Sequence, residues 1–156
     1  MSGTAAPGAG VSARGCRVAI VASRFNDDIV ARLLKGATAA WLARGGAPAD
    51  LATFRVPGAF ELPLAAKKLG ASGRYDAVVA LGCVIRGDTP HFDYVAGEAA
   101  RGIQQAGLDT GVPVAFGVLT VETVQQALER AGDHAGNKGA EAMESALEMA
   151  ALLKRL

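Results

Sequence analysis

The sequence predicts a three-layer α/β/α fold built on a four-stranded parallel sheet, and two observations carry that expectation. Four short apolar runs, RVAIVAS (17–23), LATFRV (51–56), YDAVVALGCVI (75–85) and PVAFGVL (113–119), recur along the chain with amphipathic stretches between them. Runs without a polar face suit strands covered on both sides, as in parallel sheets. Regular alternation with helical patterns argues for crossover connections rather than hairpins. The length, 156 residues, matches one such domain.

The elements follow in order. After the first strand, Asp27 and Asp28 open a helix in which Ile29, Val30, Leu33, Leu34, Ala37 and Trp41 recur at helical spacing, and Gly45-Gly46 stop it. Pro57-Gly58 breaks the second strand, and a helix follows through LPLAAKKLG. After the third strand, GDTP (87–90) turns into a helix running from Pro90 to about Gln105, with Thr89 as N-cap and Pro90 as the first helical residue. Phe92, Val95, Ala99 and Ile103 form its apolar face. TVQQALERAG makes a shorter helix after the fourth strand, and AEAMESALEMAALLKRL makes the last. AGDHAGNKG (131–139), between them, is Gly-rich and polar and reads as a loop. The small-residue segment 1–16 is expected to be a flexible arm, disordered or laid on a neighbour, ahead of one domain over 17–156. The whole suits a small flavodoxin-like or related layered domain.

Composition excludes several functions. Half of the chain is hydrophobic, enough for an ordinary core, while 16 basic residues against 15 acidic ones leave no electrostatic footprint for nucleic acid. No apolar run approaches the roughly 20 residues of a membrane span, and the N-terminal segment lacks the apolar stretch of a signal peptide. A soluble, cytoplasmic protein is expected. Cys16 and Cys83 lie far apart inside apolar runs and read as buried, reduced thiols. No His, Cys and carboxylate cluster has metal-ligand spacing, so no metal is expected.

In parallel α/β sheets ligands bind beyond the carboxyl ends of the strands. That rule selects SRFND (23–27), PGAFE (57–61) and IRGDTPH (85–91). Phe25 is either a core contact or a stacking platform. Glu61 either complements a helix N-terminus or accepts hydrogen bonds from ligand hydroxyls. Gly87, Asp88 and Thr89 present backbone N–H groups at a helix start, a recipe for holding phosphate, provided that the Asp88 carboxylate points away. His91 stands in the first helical turn as a packing residue or as a neutral base beside an anion; a bound phosphate would instead favour the imidazolium. Arg130 and Lys138 flank the Gly-rich loop and supply cations, although Arg130 equally fits the preference for basic residues at a helix C-terminus. His134 reads as an exposed loop histidine. No dinucleotide fingerprint, Walker sequence or nucleophile elbow is present.

Taken together, SRFND, VPGAFELP, LGCVIRGDTPHFDYV and ERAGDHAGNKGAEA resemble the lumazine synthase family of riboflavin biosynthesis, in the same order and after each strand. The resemblance runs from about Arg17 to the C-terminus. It implies condensation of 5-amino-6-(D-ribitylamino)uracil with L-3,4-dihydroxy-2-butanone 4-phosphate to give 6,7-dimethyl-8-ribityllumazine, phosphate and water, without a metal or organic cofactor. It further implies that Phe25 stacks on the pyrimidine and that Asn26, Ala59, Phe60 and Glu61 follow the ribityl chain. Cys83, Val84 and Ile85 would border the heterocycle. Gly87, Asp88 and Thr89 would cradle phosphate, with His91 handling protons and Arg130 pairing with the phosphate. By the same resemblance Phe116, Arg130 and Lys138 come from an adjacent subunit of a pentamer, and the Gly- and Lys-containing loop favours twelve pentamers in an icosahedral shell, with riboflavin synthase as an associated partner. The alternative is a non-catalytic flavin- or lumazine-binding, or shell-forming, paralogue of the same fold.

Overall fold

The strand Val18–Ser23 (β1) is buried at every position, and Ala77–Ile85 (β3) is buried through Cys83. Two strands with both faces covered must lie at the centre of a sheet, and they do. The computed structural model describes residues 11–156. In it β1 and β3 pair in parallel, flanked by Leu51–Val56 (β2) and Val114–Val121 (β4), in the order β2-β1-β3-β4. Side chains alternate between two cores. Val18, Ile20, Val79 and Leu81 face the helices Asp27–Ala43 (α1) and Lys138–Leu153 (α5), together with Ala127 of the short helix Val124–Arg130 (α4). Ala19, Val21, Val78 and Ala80 face Leu62–Ala71 (α2) and His91–Thr110 (α3). The three-layer α/β/α, flavodoxin-like expectation is met, and strand order reverses between β1 and β3, where a doubly wound sheet opens its binding crevice.

Several boundaries differ from the sequence expectation, each for a local reason. β3 begins at Ala77 rather than Tyr75, because Asp76 turns its carboxylate to the Arg17 N–H (2.8 Å) while its own N–H donates to the Arg17 carbonyl (2.7 Å). α3 continues to Thr110 because Ala106 extends the buried stripe of Ala96, Ala99 and Ile103, and left-handed Gly111 ends it. Phe92, expected in the core, is only half-buried, whereas Val95 is half-buried but packs against the α2–α3 core as expected. Pro90, not Thr89, is the N-cap of α3, so that His91 is the first helical residue. The Thr89 hydroxyl still accepts, at 3.4 Å, from the His91 N–H.

α5 begins at Lys138 inside the expected loop, because Asn137 caps it. The Asn137 side-chain oxygen accepts from the Ala140 N–H at 3.0 Å, and its amide donates to the carbonyls of Arg32 and Gly132 at 3.2 Å each. This buried side chain therefore ties the 131–137 connection to α1. The contact needs two glycines: a Cβ at Gly36 would overlap Asn137, and one at Gly139 would overlap the Leu33 carbonyl.

The first ten residues of the expected arm lie outside the described residues. Its last part is docked: Ala13 is fully buried and donates its N–H to the Arg44 carbonyl (2.9 Å), while the Arg44 side chain donates to the Val11 carbonyl (3.3 Å). Among the described residues no helix is long and apolar enough to cross a membrane.

Gly139→Ala forces α1 and α5 apart at a backbone contact that no rotamer change relieves. Urea unfolding at fixed protein concentration is expected to show a loss of about 1–3 kcal/mol, and an unchanged midpoint would contradict the close packing.

Candidate active site

The loops after β1 and β2 are joined by main-chain hydrogen bonds. Arg24 N–H donates to the Val56 carbonyl at 2.8 Å, and Phe25 N–H to the Pro57 carbonyl at 3.0 Å. Arg55, on the edge strand, caps the carbonyls of Ala22 (3.2 Å) and Ser23 (3.1 Å) and pairs with Asp27 at 2.5 Å. Asn26 then turns the chain into α1 in a left-handed conformation (φ 61°), and its amide donates to the Cys83 carbonyl at 2.9 Å. The loops after β1 and β2 are thus fixed to each other, and the first of them to β3, by the protein's own hydrogen bonds.

Between them lies a cavity of about 630 Å³, within the size range of small-molecule sites. Phe25, Ala59, Phe60, Glu61, Cys83, Val84, Ile85, Gly87, Thr89 and His91 all line it, joined by Gly58, Phe92, Tyr94 and Val95. Phe25 is 72% exposed, which removes the core-contact reading and leaves the ring free to stack. Glu61 is the N-cap of α2 but makes no side-chain capping bond. Its carboxylate is therefore available to accept hydrogen bonds from a ligand. Across the cavity, the N–H groups of Gly87, Asp88 and Thr89 find no acceptor among the described residues, as an anion-binding turn requires. Asp88 is exposed and absent from the lining, so its carboxylate does not compete with an anion there.

Not every expected residue joins this cavity. Asn26 stands outside it with its amide already engaged by Cys83, and acts on the cavity by holding the end of β3. Phe116, Arg130 and Lys138 lie together in a second concavity, of about 480 Å³, formed by β4 and α5. Arg130 donates to the Gln126 carbonyl at 2.9 Å, the helix-end role foreseen for it, yet still lines that concavity. Lys138 pairs with Glu141 at 2.9 Å. Among the described residues, no group of three or more His, Cys, Asp or Glu side chains could hold a metal ion.

Sequence reasoning passed over Tyr94, Arg86 and Glu141. Tyr94 is 69% exposed on the cavity wall, and a signal was available: it follows His91 by three residues on a helix, which places both on one face. Arg86 pairs with Asp93 (3.2 Å) and Glu122 (2.7 Å) and covers the Phe92 ring at 4.5 Å. That convergence of β3, α3 and the end of β4 is tertiary and leaves no local pattern.

Fold and cavity together define a small parallel α/β domain with a ligand-sized cavity at the carboxyl edge of its sheet. Residues 15–154 match the family model described as 6,7-dimethyl-8-ribityllumazine synthase. The chain belongs to that family. A 6,7-dimethyl-8-ribityllumazine synthase of Syntrophus aciditrophicus is 56% identical over 144 residues, covering 92% of this chain and 94% of that one. Proteins of the same name from Chlorobium phaeovibrioides and Chlorobium chlorochromatii are 54% and 53% identical, each over 94% of this chain and over 95% and 94% of their own lengths.

Cys83, 2% exposed, borders the cavity, and burial pushes its thiol from 9.0 up to about 11. The native thiol is expected to react with iodoacetamide at pH 8 at least about 100-fold more slowly than in the unfolded chain, because the thiolate is the nucleophile. Intact mass after timed labelling reads this directly. The folded state holds this proton more tightly, so the stability it contributes is present below about pH 9 and is lost as pH rises toward 11.

Proposed function

We propose that the two concavities act together across a subunit boundary, condensing 5-amino-6-(D-ribitylamino)uracil with L-3,4-dihydroxy-2-butanone 4-phosphate into 6,7-dimethyl-8-ribityllumazine, phosphate and water. The separation of residues carries this reading. One cavity holds a ring platform, a free carboxylate, an imidazole and a turn with unpaired N–H groups, while the cations that would complete a phosphate site lie in another concavity.

The chemistry asks for positioning more than for a strong nucleophile. The 5-amine of the pyrimidine attacks the ketone and a first water leaves, phosphate is eliminated, and the ribityl-bearing nitrogen closes the ring on the second carbonyl with loss of a second water. Phe25 stacks on the pyrimidine and Glu61 accepts from the ribityl hydroxyls, with Ala59 and Phe60 beside the chain. Cys83, Val84 and Ile85 border the heterocycle. Gly87 and Thr89, with the main chain of Asp88, receive the phosphate. His91, at the start of α3, takes and returns the protons of dehydration and elimination. Holding two reactants in register contributes up to about 7–11 kcal/mol in favourable cases, so no covalent enzyme intermediate is required.

Phe116, Arg130 and Lys138 complete this site from a neighbouring copy, Arg130 on the phosphate and Lys138 on the pyrimidine side. Exposed Leu108, Phe116, Met149 and Leu153 surround that concavity and an adjoining groove, an apolar surface suited to burial against another subunit. A pentamer satisfies the requirement at every interface, and twelve pentamers form the shell that the 131–139 connection favours. The assembly works in the cytoplasm, with riboflavin synthase, which consumes the product, as its partner.

Mixing the purified protein with both substrates and following lumazine fluorescence tests the activity; an assembled protein that yields no product would point to the binding-only paralogue. Arg130→Ala is expected to raise KM for the phosphorylated ketone roughly 10–100-fold, through loss of a charge-assisted contact. His91→Ala is expected to lower kcat by up to about 100-fold while leaving measurable turnover. Random co-assembly of the two variants should regenerate roughly a quarter of the sites, since each interface draws the two residues from different chains. Activity no greater than the summed variants would refute the shared site.

A further inference from the structure

We propose that Arg86 is a positioning residue whose side chain closes the anion-binding turn 87–89, and that it does not itself bind the anion. The inference rests on the phosphate site assigned above. Arg86 leaves the end of β3, and its own N–H donates to the Val121 carbonyl at 2.9 Å. Its guanidinium reaches over the turn to the far end of the same segment. There it stacks on Phe92 at 4.5 Å and pairs with Asp93 at 3.2 Å, while Nε meets Glu122 at 2.7 Å. Residues 87–91 are thereby enclosed between Arg86 at one end and Phe92-Asp93 at the other.

The turn has little else to shape it. Gly87, Asp88, Thr89 and Pro90 are all exposed. Their N–H groups, where present, have no acceptor among the described residues, and the bond from His91 N–H to Thr89 is long at 3.4 Å. An unbraced glycine-containing turn samples many conformations, and an anion would have to order it. Each of the Arg86 pairs is partly exposed and weak alone. Two carboxylates and a ring on one planar guanidinium, however, fix its direction in a way that a lysine ammonium cannot reproduce. With both carboxylates engaged, the Arg86 charge is matched locally instead of being directed at the cavity. Phe92 lines the cavity on one side and is covered by Arg86 on the other, which links the clamp to the wall beside His91.

Binding of inorganic phosphate to the assembled protein, followed by calorimetry, provides a reading that does not depend on turnover. Arg86→Lys and Arg86→Met are expected to weaken phosphate binding alike, by about five- to ten-fold, and to raise KM for the phosphorylated ketone in parallel. KM for the pyrimidine should stay within about two-fold, since Phe25 and Glu61 stand on other loops. Asp93→Asn should weaken phosphate binding in the same direction and add nothing in the Arg86→Lys background. If Arg86 were instead a direct phosphate ligand, Arg86→Lys would keep most of the affinity and Asp93→Asn would strengthen it by freeing the guanidinium; either result overturns the clamp. Equal damage to both substrates would also overturn it, as a general structural defect. Should the Arg86 variants fail to assemble, Asp93→Asn and Glu122→Gln alone decide, because the two models predict opposite signs for them. A wild-type protein that binds phosphate with the expected Arg86 dependence but forms no lumazine would sink the proposed reaction and leave the clamp standing.

Discussion

Everything in this structure depends on β1 and β3 being buried on both faces. Val18–Ala22 and Ala77–Leu81 are wholly removed from solvent, so helices must cover the sheet above and below. Parallel strands joined through covering helices carry every strand-to-helix loop to the same edge. The cavity is therefore a consequence of core packing: residues distant in sequence, from Phe25 to His91, meet because their strands end together.

Charge is distributed with equal consistency. The cavity lining combines the turn 87–89, whose N–H groups are unpaired among the described residues, with a Glu61 carboxylate that makes no capping bond, so it presents both donors and a negative acceptor. Arg86 and Arg55, at the ends of β3 and β2, are matched by Glu122 and Asp93 or by Asp27, and their work is mechanical. Arg130 and Lys138 stand on the β4–α5 side of the domain, where Asn137 fixes the connection that carries them.

The strands and the alternating architecture were legible because burial on both faces leaves uninterrupted apolar runs. The loops were legible because topology says where ligands bind. The missing parts share a physical character. The end of α3 was obscured by Gly107, which interrupts the pattern although the helix passes through it. The start of α5 was hidden because Asn-Lys-Gly resembles a turn, whereas Asn137 caps a helix using carbonyls from Arg32 and Gly132 that no local pattern announces. Phe92 has the spacing of a core residue, yet the buried stripe begins at Ala96 with Val95 packed at its margin, leaving the first turn of α3 to wall the cavity.

The joining of residues 24–25 to 56–57 by main chain alone separates scaffold from surface. Because backbone atoms hold those loops in place, the side chains at Phe25 and Phe60 carry no structural duty and can drift under selection for a different ring or chain. Descendants of this fold can thus explore new ligands by changing single outward-facing residues, and their inherited frame stays intact throughout.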